Sequence, residues 1–203
     1  MNDKYKFTGL TKKQGSTILH QIEALKDFGS VRKGDVGGWI KNEGNLSIEG
    51  NAWVSGNAQV SGTAWVSGTA RVSGNTRVYG NAQVYGNVRV YGDARVYGDA
   101  WVSGTAQVYG NAQVYGDAWL YSGQWEKSPL YIQGTKYSVC MCCPSTLKIG
   151  CKTHTIGQWL RHGERIARLE KFAPEEISEY RAYVELAAKL YPEENQDVSD
   201  NRI

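Results

Sequence analysis

Apolar and polar positions alternate in a unit that repeats every six residues from Val54 to Leu120. Each unit holds a small residue, a variable residue, Val, and Ser or Tyr, then Gly and Asn, Asp or Thr, as in Ala58–Thr63. Its first four residues predict a short strand with Ala and Val facing inward and the other two side chains facing outward. Gly before Asn or Asp is typical of a corner, because both residues tolerate positive φ. The repeat therefore predicts a coil with three flat sides.

Weaker copies extend the repeat backwards, so that fifteen units can be counted from Val36 to Leu120. So short a unit cannot bury its own apolar face and must stack on its neighbours. The pattern resembles the hexapeptide-repeat left-handed parallel β-helix family. That resemblance implies three units per coil and about five coils, or a prism ~25 Å long at a strand spacing of ~4.8 Å.

Some relatives in that family are acyltransferases, which use a histidine and bind coenzyme A between the coils of a trimer. Others resemble carbonic anhydrases and carry clustered zinc-binding histidines. The histidines of this chain are His20, His154 and His162, and all three lie outside the repeats. We therefore expect no catalytic residue, no cofactor and no metal ion in the coils.

The flanking sequences predict four regions: an N-terminal β cap over 1–35, the β-helix over 36–128, a C-terminal α+β module over 129–192 and a flexible tail over 193–203. Within the cap, residues 6–8 and 17–22 are expected to pair as a hairpin that covers the open end of the solenoid. The C-terminal module is expected to hold a β-hairpin and two helices, which begin near Thr155 and at Pro174.

The net charge and the apolar runs limit the function classes. A net charge of +3 is too small to predict nucleic-acid binding. No apolar run approaches 18 residues and the N-terminus has no signal-peptide pattern, so we expect a cytoplasmic protein that does not bind membranes. The segment 34–40, followed by Gly-Asn-Ala-x-Val-Tyr-Gly repeats, resembles uncharacterised proteins of phages and prophages. That resemblance implies an origin, with the host cytoplasm as location, and no activity.

Residues 18 positions apart are predicted to stack in columns on the three sides of the coil. The first side then carries Trp53, Arg71, Arg89 and Gln107 beside Ser55, Ser73, Tyr91 and Tyr109. The second carries Gln59, Arg77, Arg95 and Gln113 beside Ser61, Tyr79, Tyr97 and Tyr115. The third carries Trp65, Gln83, Trp101 and Trp119 beside Ser67, Tyr85, Ser103 and Tyr121.

Arginine lies over arginine on the first and second sides. Like charges at that spacing repel by about 1 kcal/mol per pair at a protein surface, which corner acids such as Asp93 and Asp99, tyrosine stacking or a bound anion could offset. Arginine binds phosphate with two parallel hydrogen bonds, and tyrosine rings stack on bases. The predicted ligand-binding residues are Arg71, Arg77, Arg89, Arg95, Tyr79, Tyr91 and Tyr97. A solvated ladder without a ligand is the alternative.

The third side is the most apolar. Its aromatic row predicts a packing face that the C-terminal helices or another subunit covers, because monomers rarely expose so large an apolar patch. The residues of this face are Trp65, Trp101, Trp119, Tyr85 and Tyr121. A homo-oligomer, with a trimer favoured, follows from this interpretation, and a ligand site is the alternative.

The four cysteines of the chain cluster after the repeats, at 140, 142, 143 and 151. Cys140, Cys142, Cys151 and His154 could form a tetrahedral zinc site in principle. Cys-x-Cys in a strand points both thiols to one face, however, and small buried apolar side chains explain the same pattern. We therefore predict no metal site.

The coils lack a recognisable set of catalytic residues, and their three sides differ in chemistry. Both observations favour a non-catalytic, oligomeric, phage-type binding protein. Its most concrete form is a counter-defence protein, which sequesters a nucleotide immune signal or blocks a host defence protein. The partners are then a phosphate-bearing small molecule or that host protein. A degenerate hexapeptide acyltransferase using His154 or His20 and a structural or virion scaffold are the alternatives.

Overall fold

A computed structural model describes residues 2–192, which form two compact units that divide between Tyr131 and Ile132. The first unit is a β-solenoid of about five turns with an N-terminal hairpin, and the second is a small sheet with two helices. The expected mainly-β repeat fold with two C-terminal helices is confirmed. The predicted tail over 193–203 lies outside the described residues.

The strands of the first unit are mostly two residues long, one for each side of each coil. They are β1 (Tyr5–Gln14), β2 (Thr17–Ala24), β3 (Val36–Ile40), β4 (Trp53–Val54), β5 (Gln59–Val60), β6 (Trp65–Val66), β7 (Arg71–Val72), β8 (Arg77–Val78), β9 (Gln83–Val84), β10 (Arg89–Val90), β11 (Arg95–Val96), β12 (Trp101–Val102), β13 (Gln107–Val108), β14 (Gln113–Val114), β15 (Trp119–Leu120) and β16 (Gln124–Trp125).

The core of the solenoid consists of the Ala and Val of each unit, which are fully buried from Ala52 to Leu120 with Thr76 as the one polar substitute. The hydroxyl of Thr76 donates to the carbonyl of Ser73 at 2.6 Å, so its polar group is satisfied. Backbone amides bond to the next coil, as from Arg77 N to Ala94 O at 3.0 Å. The repeat therefore fills the interior by itself.

The three predicted columns are confirmed by the parallel register of the strands. The first side is the sheet β4-β7-β10-β13-β16, the second continues β3-β5-β8-β11-β14, and the third is β6-β9-β12-β15. Arg89 pairs with Arg71, Arg95 with Arg77, and Trp101 with Trp119.

Corner glycines have positive φ and stack closely on the glycine of the next coil. At Gly74 (φ 73°) a Cβ atom would lie 2.9 Å from the backbone nitrogen of Gly92, whereas at Gly56 (φ 62°) its nearest neighbour would be at 3.5 Å. Left-handed backbone costs an L-residue about 1–2 kcal/mol at either position. Only at Gly74 does a clash with rigid backbone add to this cost.

We therefore expect Gly74→Ala to lower the free energy of unfolding by clearly more than the matched change Gly56→Ala. Urea unfolding followed by far-ultraviolet circular dichroism measures both. Equal losses would show that the spacing of the corners does not limit the fold.

The N-terminal hairpin extends the second side of the solenoid. β1 pairs antiparallel with β2, as the predicted hairpin of residues 6–8 with 17–22 requires, and β2 pairs antiparallel with β3. Lys4, which is completely buried, donates from Nζ to the carbonyl of Ser47 at 2.8 Å. The hairpin thus covers the strand edge of the first coil and satisfies its carbonyl groups.

The strand β17 (Tyr131–Gln133) begins at the boundary between the two units. The second unit then contains the strands β18 (Ser138–Cys143), β19 (Thr146–Ile149) and β20 (Lys152–Thr155), followed by α1 (Ile156–Leu169) and α2 (Pro174–Leu190). Thr155 caps α1 as expected, since its hydroxyl accepts from the amide of Gln158 at 3.1 Å. β20 was not predicted, because its polar sequence has no apolar alternation. No helix within residues 2–192 is long and apolar enough to cross a membrane.

Candidate ligand-binding site

A cavity of about 370 Å³ lies between the tip of the N-terminal hairpin and the second side of the solenoid. Its lining residues are Gln14, Gly15, Thr17, Ser61, Arg77, Tyr79 and Arg95. We call this space the tip cavity. It brings three of the predicted ligand-binding residues together with hairpin residues that the sequence did not single out.

Local features of the hairpin position its tip. The register between β1 and β2 shifts between Phe7 and Thr11, and such an irregularity bends a strand. Gly15 has a φ of 57° at the first position of the two-residue turn, as a type II′ turn requires. The ammonium group of Lys12 lies 4.4 Å from the ring centroid of Trp39, the outward residue of the first strand on this side. This cation–π contact holds the distal part of β1 against the solenoid.

The charges at the tip cavity are positive. Burial, and then the guanidinium group of Arg77, lower the pKa of Lys12. Among residues 2–192, neither Arg77 nor Arg95 forms an ion pair or a side-chain hydrogen bond, and neither lies over an aromatic ring. The stacked arginines therefore have no ion-pair partner among the described residues.

The corner acids are engaged elsewhere. The carboxylate of Asp93 accepts from the side-chain amide of Asn75 at 3.0 Å, and that of Asp99 accepts from Asn81 at 2.9 Å. These polar ladders run along the corners from coil to coil. No ion pair within residues 2–192 joins Asp93 or Asp99 to Arg77 or Arg95.

The tyrosines of the second side stack on each other. The rings of Tyr79 and Tyr97 are 4.9 Å apart and 1° from parallel, and those of Tyr97 and Tyr115 are 5.6 Å apart at 15°. Burial, then the neighbouring Tyr79 and Tyr115, raise the pKa of Tyr97. In such a stack the inner rings are covered on both faces, so only an end ring can accept a planar ligand.

The first side also carries stacked arginines beside stacked tyrosines, but these residues do not line the tip cavity. Tyr91 stacks on Tyr109 at 5.0 Å. Arg71 is half-buried beside Gly29, where an added Cβ atom would lie 3.0 Å from its Nη2 atom, while Arg89 is exposed. The structure therefore separates Arg71, Arg89 and Tyr91 from Arg77, Arg95 and Tyr79.

The aromatic residues of the third side form an edge-on row. The ring centroids of Tyr85 and Trp101 are 6.2 Å apart, and those of Trp101 and Trp119 are 6.4 Å apart at 77°. Trp65 and Trp101 are each 42% exposed and Tyr121 is 57% exposed. This row remains a predicted packing face.

The histidine and cysteine residues are distributed over β2, the segment from β18 to β20, and α1. His20 packs against Phe7 at 4.9 Å, and His154 lies edge-on to Trp159 at 4.9 Å. Cys140 and Cys142 are buried, and burial, then Cys143 and Cys140, raise the pKa of Cys142 to about 12. No group of three His, Cys, Asp or Glu residues within 2–192 could hold a metal ion.

A second cavity, of about 150 Å³, lies within the C-terminal unit beneath α1 and α2. Its lining includes Trp159, Phe172, Tyr180 and Val184. The charged residues Lys152 and Glu170, which also line it, form an ion pair at 3.0 Å. Glu164 and Arg181 of the lining are also in ion pairs, whereas Arg161 is in none within residues 2–192. This cavity thus has a single unpaired cation among the described residues, in contrast to the stacked arginine pair of the tip cavity.

The comparison with family models agrees with the fold. The model described as the YdcK Beta solenoid repeat matches residues 70–86, 82–98, 88–104 and 106–122, all within the coils. Together with about five structural turns, this match defines the chain as a β-solenoid repeat protein. A comparison with curated proteins finds no match.

Sequence reasoning missed the hairpin residues Gln14, Gly15 and Thr17 and the coil residue Ser61. The expected pairing of residues 6–8 with 17–22 predicted a hairpin but not the surface on which its tip lies. Ser61 did carry a signal, because it is the position at which the second-side column changes from serine to tyrosine. That change leaves the space that the tip cavity occupies.

Proposed function

We propose that the protein is a non-catalytic binding protein that takes a phosphate-bearing small molecule at Arg77 and Arg95. The observation that carries the proposal is the stacked, uncompensated arginine pair beside a cavity. A bound anion would offset the repulsion of about 1 kcal/mol between the stacked arginines.

The chemistry of the lining fits phosphate. A guanidinium group presents parallel N–H donors that match two phosphate oxygens, and such charge-assisted bonds are about twice as strong as neutral ones. Lys12 adds positive potential, because it is close enough to Arg77 for the two charges to interact.

Isothermal titration calorimetry with inorganic pyrophosphate tests this proposal. We expect saturable binding that weakens as salt is added, because the exposed guanidinium groups are screened. The neutral nucleoside adenosine is the control and should bind much more weakly. Flat traces with pyrophosphate and with phosphorylated sugars and nucleotides would contradict the proposal.

The wider role that we propose is that of an oligomeric, phage-type protein that acts in counter-defence by sequestering a signal molecule. The resemblance of segment 34–40 and of the repeats to phage proteins supports this setting, and the exposed aromatic row supports an oligomer. Native mass spectrometry of protein purified from infected cells reports the assembly state and any ligand carried along. A monomer with no bound molecule would contradict this role.

A further inference from the structure

The column of Ser61, Tyr79, Tyr97 and Tyr115 is a ring stack with one ring missing. A tyrosine at position 61 would continue the spacing of 4.9 Å between Tyr79 and Tyr97. Serine stands there instead, so the outer face of the Tyr79 ring is directed into the tip cavity. Gln14, Gly15 and Thr17 of the hairpin line the same cavity.

Neighbouring groups cover the serines of the third-side column, in contrast to Ser61. Ser103 is 2% exposed, and its hydroxyl accepts from Nε1 of Trp119 at 3.2 Å. Ser67 is 6% exposed. Ser61 is half-buried and lines the cavity. The serines of the third side are therefore covered, whereas Ser73 on the first side is half-buried like Ser61 but is not among the residues that line the tip cavity.

Polar groups of the hairpin surround this gap. Gln14 and Thr17 line it, and within residues 2–192 neither side chain makes a hydrogen bond. A side-chain amide and a hydroxyl supply both donors and acceptors for the edge of a heterocycle. Arg77 and Arg95 lie on the solenoid side of the same cavity. The tip cavity therefore offers hydrogen-bond partners for a flat polar ring and cationic partners for an anionic group.

We propose that the tip cavity is a nucleotide site, in which the base stacks on the free face of Tyr79 and the phosphate binds Arg77 and Arg95. This inference rests on the proposed function and adds the ligand class and its orientation. Stacking of a base on an aromatic side chain corresponds to about tenfold or more in affinity. AMP is therefore expected to bind at least about tenfold more tightly than ribose 5-phosphate.

The Ser61→Tyr variant tests the inference by filling the gap with the missing ring of the stack. We expect the affinity for AMP to fall to that for ribose 5-phosphate, while the affinity for pyrophosphate stays within about twofold. Ser73→Tyr is the matched control, because it extends the stack of Tyr91 and Tyr109 on the first side by one ring. It should leave the binding of all three probes unchanged.

A second variant, Tyr79→Ser, removes the platform without adding bulk and gives a test that does not depend on accommodating a tyrosine at 61. It should also abolish the preference for AMP and retain pyrophosphate binding. Equal affinities for AMP and ribose 5-phosphate in the unmodified protein, or a preference for AMP that survives both changes, would overturn the base site. Pyrophosphate binding would still support the proposed function in that case, whereas loss of all binding in the unmodified protein would refute both.

Discussion

Replacing Arg77 and Arg95 together by glutamine is expected to weaken pyrophosphate binding by at least a hundredfold. Each charge-assisted hydrogen bond contributes roughly 1.5–3 kcal/mol, and about 1.4 kcal/mol corresponds to tenfold in affinity. The melting temperature should hold or rise, because the change removes stacked like charges that no described residue compensates. Calorimetry and a thermal melt of the same samples measure the two effects.

The control for this experiment is Arg89→Gln with Arg165→Gln, which removes the same total charge. Both residues are exposed, and they lie on the first side and on α1 respectively. This variant should lose much less affinity, since only the long-range attraction for the anion falls. Equal losses in the two double variants would show that pyrophosphate responds to the net charge and not to the tip cavity.

The stability of the N-terminal cap is expected to rise with pH between about pH 8 and pH 10 because of Lys4. Burial, then the charges of Lys26 and Arg71, lower the pKa of Lys4 from 10.5 to about 8. The unfolded chain therefore binds more protons than the folded chain in this range, and stability increases as the pH rises. The full gain is at most about 3 kcal/mol, at 1.36 kcal/mol per pKa unit.

Comparison with Lys4→Met isolates this effect, because methionine keeps an unbranched chain and does not titrate. Burial raises the pKa values of Tyr5 and Cys142 to about 12, so these groups lower the stability at higher pH in both proteins. The difference in unfolding free energy between the two proteins should change with pH in favour of the unmodified chain. A pH-independent difference in urea unfolding would contradict the assigned role of Lys4.

The coils could be predicted from the sequence because strands of successive coils pair at a constant offset along the chain. Once three units make one coil, each residue lies over the residue 18 positions earlier, as Arg89 lies over Arg71. The columns, the inward Ala and Val, and the corners then follow without knowledge of any other part of the chain. The spacing changes at both ends of the solenoid: Trp39 pairs with Gln59 at the first coil, and Gln107 pairs with Gln124 at the last.

The tip cavity could not be predicted, because it depends on a contact that occurs once in the chain. The bend of β1 near Phe7, the turn at Gly15 and the contact of Lys12 with Trp39 together set where the tip lies. None of these repeats, so no periodic pattern reports them. The arginines at 77 and 95 were singled out by their charge, but the sequence could not rank them above Arg71 and Arg89.

The strand β20 shows a different limit. Lys152, Thr153 and His154 are mostly exposed and show no alternation of apolar and polar residues. Their pairing with β19 therefore depends on the hairpin that precedes them. The start of α1 was predictable because the capping pair of Thr155 and Gln158 is local. Local chemistry and repetition could thus be predicted, and single tertiary contacts could not.

The register of the solenoid limits how such a gene can change in length. Gain or loss of a whole coil, such as the 18 residues that separate Arg77 from Arg95, would keep every remaining residue on its own side. Gain or loss of a single hexad would keep the interior filled but would move every later column around the prism by one side. Recombination between hexads could therefore interconvert the arginine, glutamine and tryptophan surfaces without disturbing the core, and only those events that conserve the coil would preserve a ligand site.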